Sequence, residues 1–187
     1  GWDEKMVALW PQEIYITYFF QNAVKWLLFP MQMITFLGNE QFYMLIMPAL
    51  YWCIDAVLGL RIGIMLLTSS ALNGTAKLIF KSPRPYWVDP NVIAYSSESS
   101  FGMPSGHAIN SLSIGGLLAA SIHKKSVTVI TAILIFLIGL SRIFLGVHFT
   151  SDVLVGWLLG AILLALFLKL EEPVVHWAKK QPFGRFV

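Results

Sequence analysis

Ser141-Arg142-Ile143-Phe144-Leu145-Gly146-Val147-His148-Phe149-Thr150-Ser151-Asp152 stands between two strongly apolar stretches, yet carries an arginine, a histidine and an aspartate. Ionisable side chains at membrane depth are costly and need partners, so they are read first as functional. His148 and Asp152 are four positions apart, which puts them one turn from each other on one face of a helix. A carboxylate so placed can hold one ring nitrogen of the imidazole and leave the other as nucleophile or base.

The chain around this stretch is apolar: 57% of its 187 residues are hydrophobic and 12% are charged. A soluble domain carries about 25% charged residues, so the composition is that of a polytopic membrane protein of one domain. A net charge of +3 on scattered carriers gives no footprint for nucleic acid. The lone Cys53 excludes an intramolecular disulfide and reads as a residue packed in a helix. Trp2 to Gln12 lacks the apolar core of a signal peptide. With Trp2, Asp3, Glu4, Lys5 and Trp10 it has instead the composition of an interfacial segment.

The pattern predicts an all-α, polytopic transmembrane helical bundle. Five firm spans fall near Phe42–Leu58, Ile62–Phe80, Ala108–Ile122, Val127–Leu145 and Ser151–Lys169. Ile14 to Gly38 is interrupted by Gln21, Asn22, Lys25, Pro30 and Gln32, and reads as interfacial or re-entrant helices, or as a kinked sixth span. This divides the single domain 1–187 into an N-terminal region 1–38, a helical core 39–170 and a charged cytoplasmic tail 171–187. The short joins Gly59-Leu60-Arg61 and His123-Lys124-Lys125-Ser126 make neighbouring helices antiparallel. The one long connection, Lys81 to Ser105, is rich in Pro, Ser, Asp and Asn, as functional loops are.

With that topology Arg61, Lys124, Lys125, Lys169, Lys179, Lys180 and Arg185, seven of the 13 Lys and Arg, share one membrane face. The positive-inside rule makes it cytoplasmic. Three polar clusters gather on the opposite face. Lys77 ends a span, and Pro83 and Pro85 force the chain out of helix so that Arg84 rides on a stiff extended segment. Pro104-Ser105-Gly106-His107 opens a helix whose free N–H groups and dipole favour an anion. Arg142, His148 and Asp152 complete the set. Three fixed cations with one nearby acid repel one another unless an anion joins them, and phosphate suits them: arginine binds it bidentately and lysine as a point charge. Such a cage stabilises the charge of phosphoryl transfer, with one histidine attacking phosphorus and the other protonating the departing oxygen. No His/Cys/Asp cluster has metal-ligand spacing, so metal-independent chemistry is expected.

The spacing Lys-x6-Arg-Pro, then Pro-Ser-Gly-His, then Ser-Arg-x5-His-x3-Asp, all within Lys77–Asp152, resembles the three-part signature of the type 2 phosphatidic acid phosphatase superfamily. That group includes lipid phosphate phosphatases, glucose-6-phosphatase and the vanadium haloperoxidases. The resemblance implies a helical bundle working through a phosphohistidine, without a cofactor. By position, His148 looks like the nucleophile, Asp152 its orienter and His107 the general acid. Lys77, Arg84, Ser105, Gly106 and Arg142 would bind phosphate, and no metal is implied. Arg84-Pro85-Tyr86-Trp87 and Ser105-Gly106-His107-Ala108 are also similar to glucose-6-phosphatase.

The expected function is therefore an integral membrane phosphatase, in a bacterial inner membrane with its site facing the periplasm, acting on a lipid phosphate or lipid pyrophosphate. A sugar phosphatase is the alternative within the same chemistry, and a non-catalytic phospholipid-binding transporter or scaffold the alternative outside it. Bland readings attach to other residues. Glu40 reads as a helix-start acid favoured by the dipole, Asp55 as a partner of Arg61, and Lys81 as a headgroup contact or solvated lysine. Glu98 either caps a turn, the favoured reading, or touches substrate. His123 and His176 read as interfacial on the cytoplasmic side. The oligomeric state has no signature in the sequence.

Overall fold

The computed structural model describes residues 4–181, with side chains from Leu9 onward. The expectations for the side chains of Trp2, Asp3, Glu4, Lys5 and Arg185 lie outside that description. The described chain is helical, without strands: α1 Glu4–Ala23, α2 Leu28–Phe36, α3 Glu40–Cys53, α4 Ala56–Phe80, the short α5 Pro85–Val88, α6 Gly106–Ile122, α7 Lys125–Phe144 and α8 Thr150–Lys179. Among the described residues, three stretches are long and apolar enough to cross a bilayer: Ala56–Val88, Lys125–Phe144 and Thr150–Lys179. They leave large apolar side chains such as Leu67, Ile79 and Leu158 facing outward, as a lipid-facing surface requires and an aqueous one would penalise. The protein is an integral membrane protein. At 14 and 17 residues, α3 and α6 are shorter than the roughly 20 of a full span.

α6 is the central helix, packed on α8, α7 and α4. Gly156 and Gly160, one turn apart on α8, make its closest crossing possible. A Cβ on Gly156 would lie 2.8 Å from Ser105 O, and one on Gly160 2.9 Å from Ile109 O. Small residues at this spacing let helix backbones approach where lipid leaves packing as the driving force. The contact sets the amino end of α6 beside that of α8, which the site needs. A second core, with Ile62, Met65, Leu66, Ile114 and Leu117, fixes α4 against α6.

Several boundaries differ from the sequence expectations. The first tight join lies at Ile54-Asp55, not at Gly59-Leu60-Arg61. Asp55 sits extended and accepts hydrogen bonds from the N–H groups of Val57 and Leu58 at 2.8 and 3.0 Å, a side-chain cap that starts α4 early. Gly59 is a packing site rather than a breaker, since a Cβ there would come within 2.6 Å of the Tyr51 backbone. Asp55 is thus not the partner of Arg61, which reaches Glu171 at 2.6 Å and donates to Ser121 Oγ at 2.8 Å. α8 does not stop near Lys169; its charged continuation stays helical to Lys179. Cys53 is exposed at the end of α3 instead of packed. The stretch Ile14–Gly38 is broken into two helices at Val24, and its Gln21 is used internally, donating to Ile93 O at 2.7 Å and Phe144 O at 3.2 Å.

Candidate active site

Every residue of the three-part signature lies at one end of the bundle. α4 delivers Lys77 in its last turn and ends on Lys81, in the left-handed conformation (φ 48°). The following Ser82-Pro83-Arg84 runs extended until Pro85 opens α5, as the proline pair dictates. Arg84 is fully buried there. Its Nε donates to Ser100 O at 2.7 Å, Nη1 to Val147 O at 2.8 Å and Nη2 to Phe101 O at 3.1 Å. These bonds bring the long loop down over the end of α4. Lys77 Nζ meets the same loop at Ser100 Oγ, 2.7 Å away.

The stretch between α7 and α8 turns on Gly146, whose φ of +72° suits glycine, and a Cβ there would strike Ile93 O and Gln21 Nε2. The turn delivers His148 to the amino end of α8. Asp152 Oδ2 accepts the Phe149 N–H at 2.9 Å and lies 3.2 Å from His148 Nδ1. A ring whose Nδ1 donates to this carboxylate carries its lone pair on Nε2, and Arg84 Nη1 stands 3.4 Å from that atom. Burial, then the charges of Arg84, Arg142 and Lys77, push the His148 imidazole well below its ordinary pKa, so it is neutral at physiological pH. Asp152 is wholly buried, and its backbone carbonyl accepts the Ser105 N–H at 3.0 Å, fastening the α6 start to α8. Ser105 caps α6 through the Ala108 N–H, with Gly106 and His107 in the first turn. Arg142, at the end of α7, donates from Nη1 to Thr35 Oγ1 at 2.9 Å.

Lys77, Gly106, His107, Arg142 and His148 line a half-enclosed cavity of about 420 Å³, continued by polar residues of α3, α4 and the long loop. Arg84, Ser105 and Asp152 stand behind that surface and hold it. Two cations, an imidazole nitrogen with a free lone pair, a second histidine and a helix amino end thus converge on one space, backed by the Arg84 guanidinium, and this space can receive a phosphate. Among the described residues no cluster of His, Cys, Asp or Glu could hold a metal ion.

Glu98 is the residue whose favoured reading fails. It does not cap a turn: its carboxylate pairs with Arg142 and lies 3.7 Å from Arg84 Nη2. Charge balance could have found it, because three cations brought together need an anion and few acids lie on this face. Glu40 keeps its helix-start position, and also accepts from Ser70 Oγ at 3.0 Å at the cavity wall. Glu13, unremarked in the sequence, accepts the Ser151 N–H at 2.7 Å and the Ser151 hydroxyl at 3.0 Å, covering the open amino end of α8. A lone glutamate in an amphipathic segment gives no signal of that partner.

The PAP2 superfamily model matches residues 58–174, so this chain belongs to the PAP2 superfamily. It is 34% identical over 119 residues to phosphatidylglycerophosphatase B of Bacillus subtilis, covering 57% of this chain and 58% of that protein. It is 32% identical to sphingosine-1-phosphate phosphatase 2 of Mus musculus over 70% of this chain and 38% of that protein. The chain thus spans less than two thirds of these relatives' length. Among solved structures, the transmembrane PAP2 type phosphatidylglycerolphosphate phosphatase from Bacillus subtilis matches with a TM-score of 0.71 and 30% identity, over 94% of this chain and 89% of that one. Aquifex aeolicus LpxE matches with a TM-score of 0.74 and 25% identity over 83% and 93%.

Proposed function

We propose that this chain is a metal-independent membrane phosphatase that hydrolyses a lipid phosphate or lipid pyrophosphate at the extracytoplasmic face through a phosphohistidine. The observation that carries the reading is the contact line Asp152 to His148 to Arg84. Residues 64 positions apart place a guanidinium 3.4 Å from the imidazole nitrogen left free by the carboxylate. The relatives' names, all of phosphatases acting on lipid or sugar phosphates, agree with it.

Lys77, Arg142 and the Gly106 helix start bind the phosphoryl oxygens, with Arg84 and Ser105 backing them from behind the surface. The Nε2 lone pair of His148 forms a P–N bond as the P–O bond to the leaving alcohol or phosphate breaks, and His107 gives its proton to that oxygen. Asp152 stabilises the charge that appears on His148. Water, losing a proton to His107, then attacks phosphorus; the P–N bond breaks and inorganic phosphate leaves. Residues 39–170 act as one catalytic core spanning the bilayer five times, with α1 and α2 lying at its outer interface. The basic ends at Lys124, Lys125 and Lys179 stay in the cytoplasm, and the site opens near headgroup depth to an amphiphile arriving from the bilayer. The likeness to glucose-6-phosphatase keeps a sugar phosphate as the second reading.

Rapid acid-free quenching of the purified protein with a ³²P-labelled lipid phosphate tests the mechanism. Label on His148, lost in His148→Ala, is expected. Turnover by His148→Ala at the wild-type rate would end the proposal.

A further inference from the structure

The leaving group of such a reaction departs on the side of its proton donor, opposite the attacking His148 nitrogen, because displacement is in line. The walls around His107 therefore decide what the leaving group can be. The α2–α3 turn lies on the His107 ring: a Cβ on Gly38 would come 3.2 Å from His107 Cδ2. The next residues, Asn39 and Glu40, open α3 and line the cavity. From α4, Asn73 abuts the turn that carries His107, since a Cβ on Gly106 would meet Asn73 Nδ2 at 2.8 Å.

This wall is polar, and both Glu40, which faces the cavity, and an Asn73 oxygen just beneath its surface are acceptors with capacity to spare. Asn73 Oδ1 is buried and accepts no hydrogen bond among the described residues. Glu40 takes one hydrogen bond on Oε1, from Ser70 Oγ at 3.0 Å, while a carboxylate accepts about four. Unfilled buried acceptors are costly and are relieved by donors. Methylenes against them would leave them unfilled, and a second phosphate would face the Glu40 charge.

We propose that Glu40, Ser70 and Asn73 form the subsite for the leaving alcohol, and that it selects phosphomonoesters whose alcohol carries hydrogen-bond donors near the ester oxygen, against lipid diphosphates. The inference rests on the phosphatase reading above and names the substrate class of that site. Glu40 and Asn73 are specificity residues in it; the cations and histidines of the cage do the chemistry.

The test uses the purified full chain in detergent, scored by released phosphate. Its substrates are a phospholipid with its terminal phosphate on a glycerol headgroup, a sphingoid-base phosphate, phosphatidic acid, a polyprenyl diphosphate and p-nitrophenyl phosphate. The wild type should favour one of the first two, the hydroxyl- and ammonium-bearing esters, over the diphosphate in kcat/KM; which one identifies the donor. Glu40→Gln, which keeps an acceptor for Ser70, should shrink that preference roughly five- to tenfold by admitting the diphosphate. Asn73→Ala should lower kcat/KM for the donor-bearing ester without improving the diphosphate, and decides the matter if Glu40→Gln does not fold. p-Nitrophenyl phosphate, whose leaving group carries no donor, is the reference against which each variant's kcat/KM for the lipid substrates is scored. A wild type that prefers the diphosphate or phosphatidic acid, or variants with unchanged ratios, would overturn the subsite alone. No phosphate release by the wild type from any substrate would overturn the phosphatase reading itself.

Discussion

Two arginine–glutamate pairs stand at opposite ends of this bundle, and their chemistry is the same while their settings are not. Arg61 and Glu171 join α4 to α8, with side chains about equally exposed at 22% and 26%, and Ser121 of α6 completes the knot. Both partners sit on helices that packing already holds, so the pair ties what is tied. Arg142 and Glu98 are unequal: the arginine side chain is 2% exposed, and the glutamate, on a loop, 27%. The arginine is fixed by α7 and by Thr35, whereas Glu98 hangs from the segment between α5 and α6. A buried cation must keep an anion near it, but nothing requires that anion to be the protein's own. An ion pair holds a fold when both partners are fixed, and can mark a ligand site when one of them is replaceable.

The contrast breaks most sharply at the arginines. Arg142→Ala should lower kcat/KM by about 10³, the scale of losing a preorganised donor to transition-state charge, while Arg61→Ala should leave kcat/KM within about twofold of wild type. Steady-state phosphate release on the two purified variants decides it, and equal losses would erase the distinction. The next effect is on anion binding. Glu98→Gln removes the carboxylate that faces Arg142 and Arg84, so orthovanadate should bind roughly five- to tenfold tighter, as read by inhibition constant. Weaker binding would mean that Glu98 shapes the cage instead of filling it.

The cage also has a pH signature that the distant pair lacks. A lowered His148 pKa keeps the nucleophile neutral as pH falls through 6.5 and beyond, so its protonation should inactivate only well below that value. The acidic limb of the kcat/KM profile, after division by the substrate's own second phosphate ionisation near about 6, should therefore lie well below 6.5. An acidic limb at 6.5 or above would contradict the burial argument. The smallest effect belongs to the knot: Glu171→Gln should cost about 1 kcal/mol or less, as for partly exposed pairs, seen as a Tm a few degrees lower with activity intact.

Much of the site was legible because its residues are expensive where they stand. Lys77, Arg84, His107, Arg142, His148 and Asp152 are polar groups in an apolar chain, and composition alone makes them conspicuous. The proline pair around Arg84 and the Ser105 cap fix local backbone by sterics and hydrogen bonding, so those segments could be placed without the fold. Glu13 and Gln21 were opaque because each is ordinary by itself and acquires meaning from a partner 138 or 72 positions away, while Glu98, 44 positions from Arg142, could be reached only by balancing charge. The join at Asp55 was misplaced for a local reason: a side-chain cap competes with a glycine, and here Gly59 serves a helix crossing.

The sequence by itself determined that this is a helical membrane protein, since hydropathy, helix period and proline sterics act over a few residues, and its three motifs carried the resemblance to the PAP2 signature. Only the tertiary structure decided which anion balances the cage, which helix amino ends meet at Gly156 and Gly160, and which polar wall surrounds His107. Those are consequences of close approach between distant segments. A one-dimensional pattern records the chemistry of each partner but not the distance between them.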